Sequence, residues 1–298
     1  MPTQIVTAFC EGPHDIAFLN RILKSIGFKS NNGCRIGKYP KPFSDLIEQE
    51  TKKTSVSEIN LTQLRRGLLP VETLVKSDTY FFLYSTEGKD QKPTRQRMLK
   101  ELDGFIQKDD LEIIKMPQDT QLSVLYLFDA DSDGISYRVK QINDELKEVF
   151  QEVTQDVISR NNSYSTILNI KIGVSIFTGP DNNNGTLEDV LIPLMREDNE
   201  PIFKNAETFL TENFDDSRLF PIKMKLDRGE LIESRSTKAK DKLKFDKNKS
   251  LIGTVGQLQK SGMSNAVCIG QCDFISLKKI QKDSKCQEII EFILKFLE

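Results

Sequence analysis

Tryptophan is absent from the 298 residues, and histidine occurs once, as His14. One histidine excludes multi-histidine zinc catalysis, and any Ser-His-Asp or Cys-His nucleophile system would have to rest on that residue. Cysteine is scarce, with five residues. The odd count, and an N-terminus (MPTQIVTAFCEG) without a basic start or a small-residue cleavage site, argue against a disulfide framework and for a reducing cytoplasm. Cys268 and Cys272 are spaced C-x3-C with no second Cys or His pair beside them, so they read as small buried hydrophobes rather than zinc ligands. No apolar run reaches the roughly 18 residues of a membrane span, so no membrane partner is expected. Net charge is also missing: 42 Lys and Arg against 44 Asp and Glu leave −2. Nucleic acid therefore meets no global attraction and would be held by local basic patches. Carboxylates, lysines and a bound cation are left to carry any chemistry.

Hydrophobic residues at 38% and charged residues at 29% describe a strongly charged chain able to bury a core. Strand-like and helix-like segments alternate. Strands are predicted at 4–10, 79–84, 124–128 and 171–178, followed by helices at 14–26, 94–105, 135–149 and 186–195. That rhythm implies βαβ units, hence an α/β fold with a central, mostly parallel sheet flanked by helices. One domain spanning 1–298 is expected, with a core at 1–30 and 79–196. Residues 31–78, with the polar run ETKKTSVSE, form an insertion. Residues 197–298 form a mainly helical C-terminal extension ending in a helix over 286–297.

Ligands of open α/β sheets bind beyond the carboxyl ends of the strands. Three of the four predicted strand ends carry acids: Glu11 and Asp15 after the first, Asp129, Asp131 and Asp133 after the third, Glu188 and Asp189 after the fourth. The run LYLFDADSDG opens like a calcium loop, but position twelve, counted from Asp129, is Lys140 and a strand precedes it, which argues against an EF-hand. Residues two apart on an extended segment share a side, so Asp129 and Asp131 can converge, and Glu11 can join them if the first and third strands are neighbours. Clustered carboxylates need a cation, and oxygen-only ligation suits Mg2+ or Mn2+.

Each acid also has a plain structural role open to it. Asp131, Ser132, Asp133 and Gly134 can form a helix-capping turn, and Asp15 suits the first turn of a helix begun by Pro13. Thr186-Leu187-Glu188-Asp189 resembles a capping box, and His14 reads as an exposed helix-start residue. Lys238, Lys240, Lys242 and Lys244 fall in a predicted helix as a largely solvated face, from which one lysine could reach a phosphate. Lys89, Lys92, Arg95 and Arg97 form a second basic group able to hold a nucleic-acid backbone.

CEGPHDIAFL and LYLFDADSDG resemble the first motif and the DxD motif of Toprim domains, and Glu11-x-x-x-Asp15 looks like the variant of the OLD (overcoming lysogenisation defect) nucleases. GVSIFTGPDNNNGTLEDVLIPLM is similar to a signature of a small, functionally uncharacterised family of stand-alone Toprim-related proteins. The resemblance covers about 1–28, 79–196 and, more loosely, 236–298. It implies a Rossmann-like Toprim core, with a metal set of Glu11, Asp15, Asp129, Asp131, Asp133 and Glu188. It also implies two metals if the centre is catalytic, and a lysine at 240 or, next, 238 among the catalytic residues with Glu11, Asp129 and Asp131. The ATPase domain that accompanies OLD nucleases has no recognisable counterpart in these residues.

The expected function is a Mg2+- or Mn2+-dependent nuclease or related phosphodiester hydrolase, with DNA or RNA as partner. The alternatives are a Toprim module that binds nucleic acid or a nucleotide without cutting it, and a haloacid-dehalogenase-type phosphatase. In the latter the DxD ends the first core strand, whereas here about 125 residues precede it.

Overall fold

The computed structural model describes residues 2–52, 69–86, 91–106, 116–117 and 119–298. In chain order its first elements are β1 (Thr3–Cys10), α1 (Pro13–Ser25), β2 (Lys29–Ser30), α2 (Phe43–Lys52), β3 (Glu72–Lys76) and β4 (Thr79–Ser85). Then come α3 (Lys92–Ile106), β5 (Thr120–Asp129), α4 (Ile135–Val149), β6 (Ser163–Ile167), β7 (Ile170–Phe177), α5 (Leu187–Arg196) and α6 (Glu200–Asn213). The chain ends with β8 (Ile222–Asp227), β9 (Glu230–Arg235), α7 (Lys247–Gly256), α8 (Asn265–Gln271), α9 (Leu277–Lys282) and α10 (Ser284–Leu297).

These elements form two compact units, Met1–Leu194 with Ile275–Glu298, and Met195–Phe274. In the first, seven strands are ordered β2-β3-β4-β1-β5-β7-β6. The four central strands are parallel; β3 and β6 run antiparallel to them, and β2 pairs antiparallel with β3 at the margin. The expected α/β architecture with a mostly parallel, helix-flanked sheet is what the chain adopts.

Burial on both faces explains why β5 reads as a nearly unbroken apolar run. Leu122, Val124, Tyr126 and Phe128 point to one face, where they share a core with Phe43 and Leu46 of α2, Leu99 and Leu102 of α3, and Ile142 and Leu146 of α4. On the other face α1 and α10 pack, and Phe18 of α1 meets Phe177 of β7 edge-on at 6.0 Å. From β1 the chain goes to β4 on one side, then crosses back over β1 to β5 on the other. The order reverses between β1 and β5, and at such a switch point two loops diverge and leave a crevice at the carboxyl edge.

In the second unit α6, α7 and α8 enclose a small core, where Phe203 meets Phe274 edge-on at 6.1 Å. Cys268 and Cys272 are buried and unoxidised there, as expected. The mainly helical pattern predicted after residue 197 fails at β8 and β9, a hairpin exposed along its whole length. The helix predicted through the lysine-rich stretch is likewise reduced to a 3-10 turn at Ala239–Asp241. Among the described residues no helix is long and apolar enough to cross a membrane.

Candidate active site

β1 stops at Cys10, and Gly12 caps α1 with Pro13 in its first turn, where the missing amide proton costs nothing. Asp15 folds back so that its Oδ2 accepts from the Gly12 amide at 2.8 Å. Its other oxygen, Oδ1, is buried with no hydrogen-bond partner, in a residue only 5% exposed. Such a group costs on the order of 1–3 kcal/mol or more unless something meets it. The first-turn role expected of Asp15 accounts for one of its oxygens and leaves the second unexplained.

Because β1 and β5 are neighbours, Glu11 lies beside the end of β5, and its Oε1 accepts from the Asp129 amide at 3.1 Å. Asp129 reaches across to the next connection, where its Oδ1 accepts from the Leu187 amide, at the start of α5, at 2.7 Å. Glu188 follows; it is almost fully buried, and its Oε1 lies 3.1 Å from His14 Nδ1. His14 is thus not the exposed helix-start residue that was expected. The β1–α1 turn carries it onto Glu188, a contact 174 residues away in sequence.

The charges act as one set. Burial raises the Asp15 carboxyl to about 7, with Glu11 and Glu188 adding to the rise. Burial also lifts Asp129 well above the usual carboxylate range, reinforced by Asp15, Glu11 and Glu188. Glu11 is raised by burial, while Arg138 and Arg95 oppose the rise. Four acids, Glu11, Asp15, Asp129 and Glu188, therefore sit close enough at the switch point to disfavour one another's ionisation. Two lie in first turns, Asp15 in α1 and Glu188 in α5, and Asp129 accepts from the first amide of α5. The helix dipoles offset part of their repulsion.

Asp131 is held differently from the expectation. β5 ends at Asp129, and Asp131 has left-handed backbone (φ 50°), so the two-residue alternation of a strand no longer applies to it. Its backbone bridges Gly185 in both directions, at 2.8 and 2.9 Å, and its exposed carboxylate pairs with Arg138 at 2.6 Å. Asp133 is exposed in the turn before Gly134, the N-cap of α4. Among the described residues, no three His, Cys, Asp or Glu side chains converge as a ready-made metal cage. The donor set is nonetheless all carboxylate and includes an unmet buried oxygen, which suits a hard divalent cation once the side chains turn inward.

Gly185 ties the β5 and β7 loops together. Its φ is 122°, and a Cβ there would lie 2.3 Å from the Gly179 amide nitrogen. Gly185→Ala is expected to lower stability by about 2–3 kcal/mol through strain and displacement of that loop. The denaturant midpoint measures this, and a shift under 0.5 kcal/mol would contradict the tie (order of magnitude for a neutral surface change).

The lysines are placed where the pattern could not locate them. Lys238 and Lys240 belong to the second unit, and both are exposed. In the acid-bearing unit, Lys285 in the first turn of α10 donates to Thr178 Oγ1 at 3.3 Å and to Asn182 Oδ1 in the loop after β7. Of the second basic group, Lys92 pairs with Glu148, Arg95 with Glu145 and Arg97 with Glu50, while Lys89 lies outside the described residues. Arg138, not singled out from the sequence, touches more of the site than any of these. The available signal was an arginine in the first turns of the helix that follows DxDxDG.

No curated protein matches this chain. The crystal structure of hypothetical protein PH0156 from Pyrococcus horikoshii OT3 is similar, with a TM-score of 0.52 and 13% identity over 98% of this chain and 95% of that one. At that identity the likeness concerns the fold alone. The model of the family described as "Protein of unknown function (DUF3226)" matches residues 7–298, and the chain therefore belongs to the DUF3226 family.

Proposed function

We propose that this protein is a divalent-ion-dependent phosphodiester hydrolase acting on nucleic acid, with a Toprim-type centre at the β1–β5 switch point. The observation that carries the reading is the buried, partnerless Asp15 Oδ1 within a set of four mutually repelling carboxylates. Glu11 and Asp129 are the central ligands in this reading, flanked by Asp15 and Glu188, with Asp131 at the rim. When bound, Mg2+ or Mn2+ would neutralise charge on a phosphoryl oxygen and lower the pKa of water. The chain's own part is to hold the acids oriented, while a bound cation would favour their ionised forms. Leu187 N–H fixes one oxygen of Asp129, the Asp129 amide fixes Glu11, and His14 fixes Glu188. Lys285, at the neighbouring loop, supplies a cation for a phosphate.

The assay is incubation of supercoiled plasmid, single-stranded DNA and RNA with Mg2+ or Mn2+. Cleavage that stops with chelator supports the reading. Salt-sensitive binding without any cleavage would replace it with a non-catalytic binding module.

A further inference from the structure

Arg138 occupies the open side of the acidic set. Its Nη2 lies 3.0 Å from Glu11 Oε1 and 2.6 Å from Asp131 Oδ2 at once. Nε donates to the Asp129 carbonyl at 2.7 Å, and Nη1 to Gln141 Oε1 at 3.1 Å. The guanidinium thus engages both acid-bearing segments, the end of β1 and the turn after β5, with a single charged group.

We propose that Arg138 is a resident counter-cation that competes with a divalent ion for Glu11 and Asp131, so that loading the centre requires its guanidinium to withdraw. This rests on the reading of the acids as a divalent-ion centre. A hard cation ligated by Asp131 Oδ2 would claim a lone pair that now accepts from Nη2, and one at Glu11 Oε1 would displace the ion pair that Nη2 makes there. A second positive charge that close is strongly repelled in a partly buried site. The arginine is built to leave. Its side chain is 21% exposed, so a path to water exists. Gln141, about one turn further along α4, is a neutral partner outside the acids. As it stands, Arg138 holds Glu11 and Asp131 to itself.

The test is Mn2+ titration of the full chain, read by the loss of the free-ion paramagnetic resonance signal and by calorimetry, for the wild type, Arg138→Gln and Arg138→Lys. Arg138→Gln is expected to bind Mn2+ about tenfold more tightly than the wild type. Arg138→Lys keeps the charge but loses the planar fork, and is expected to fall between them. Circular dichroism confirms folding, and if the glutamine variant does not fold, the lysine variant decides alone. Equal or weaker Mn2+ binding by the folded variants, with the wild type still binding, overturns the competition and leaves the centre intact. No binding by the wild type or any variant overturns both. Binding by the variants but not by the wild type supports the competition in its strongest form.

Discussion

Ion-free protein is expected to lose stability as pH rises from 5 to 8, and Mn2+ or Mg2+ to restore it. The sign follows from Asp15. Its carboxyl is raised by burial to about 7 in the folded chain, against about 3.9 when unfolded. Between those values the folded state holds a proton that the unfolded state has released, so stability falls as pH climbs through this window and is flat above it. A shift of about 3 pH units corresponds to about 4 kcal/mol as an upper figure. Asp129 and Glu11 are also raised, and they act in the same direction. Asp181, Asp215 and Asp241 are lowered, so they are ionised in both states across this window and their pH dependence lies below it. A cation favours the ionised acids. At a hundred times its dissociation constant it returns about 2.7 kcal/mol at pH 8 and little at pH 5. Denaturant unfolding in chelator and in 1 mM Mn2+ (about a hundredfold excess for an ion bound in the 10 μM range) measures both slopes. Asp15→Asn keeps an oxygen for the Gly12 amide and should flatten the chelator curve. A wild-type midpoint that holds steady from pH 5 to 8 would mean that these acids do not share a buried site.

The second large effect is expected on the turnover of the proposed hydrolase. Asp129→Asn is nearly isosteric and can still accept from the Leu187 amide, so the loop geometry survives while the charge is lost. Ion-dependent cleavage should fall by about a thousandfold, the scale of about 4 kcal/mol of transition-state stabilisation. Glu11→Gln should act similarly, and Asp133→Asn, in the exposed turn, should cost less than about threefold. If Asp129→Asn cleaves as well as the wild type under matched ion concentrations, the assignment of the centre fails.

Residues buried on both faces announce themselves by composition, which is why β1, β4, β5 and β7 were legible and with them the strand ends that carry Glu11, Asp129 and Glu188. Marginal strands lack that signal. β3 lies inside a stretch read as an insertion, and β6 is short and mostly polar, with one neighbour only. The β8–β9 hairpin buries neither face, so its Lys-Met-Lys-Leu alternation competed with helical spacing and lost. Within the site, adjacency was readable but orientation was not. The left-handed turn at Asp131 cancels the alternation that would have paired it with Asp129. His14–Glu188 and Arg138–Glu11 join residues whose meeting depends on which strands are neighbours and on the phase of a helix. Lys285 is brought to the β7 loop by α10, which returns to the first unit after the chain has passed through the second. No local pattern encodes that return.

The most direct measurement is anomalous scattering from crystals soaked in Mn2+ at pH 8. A peak is expected within about 2.5 Å of carboxylate oxygens of both Glu11 and Asp129, with the Arg138 guanidinium moved off Glu11. Manganese found only on surface carboxylates, with Arg138 still bridging Glu11 and Asp131, would contradict that expectation.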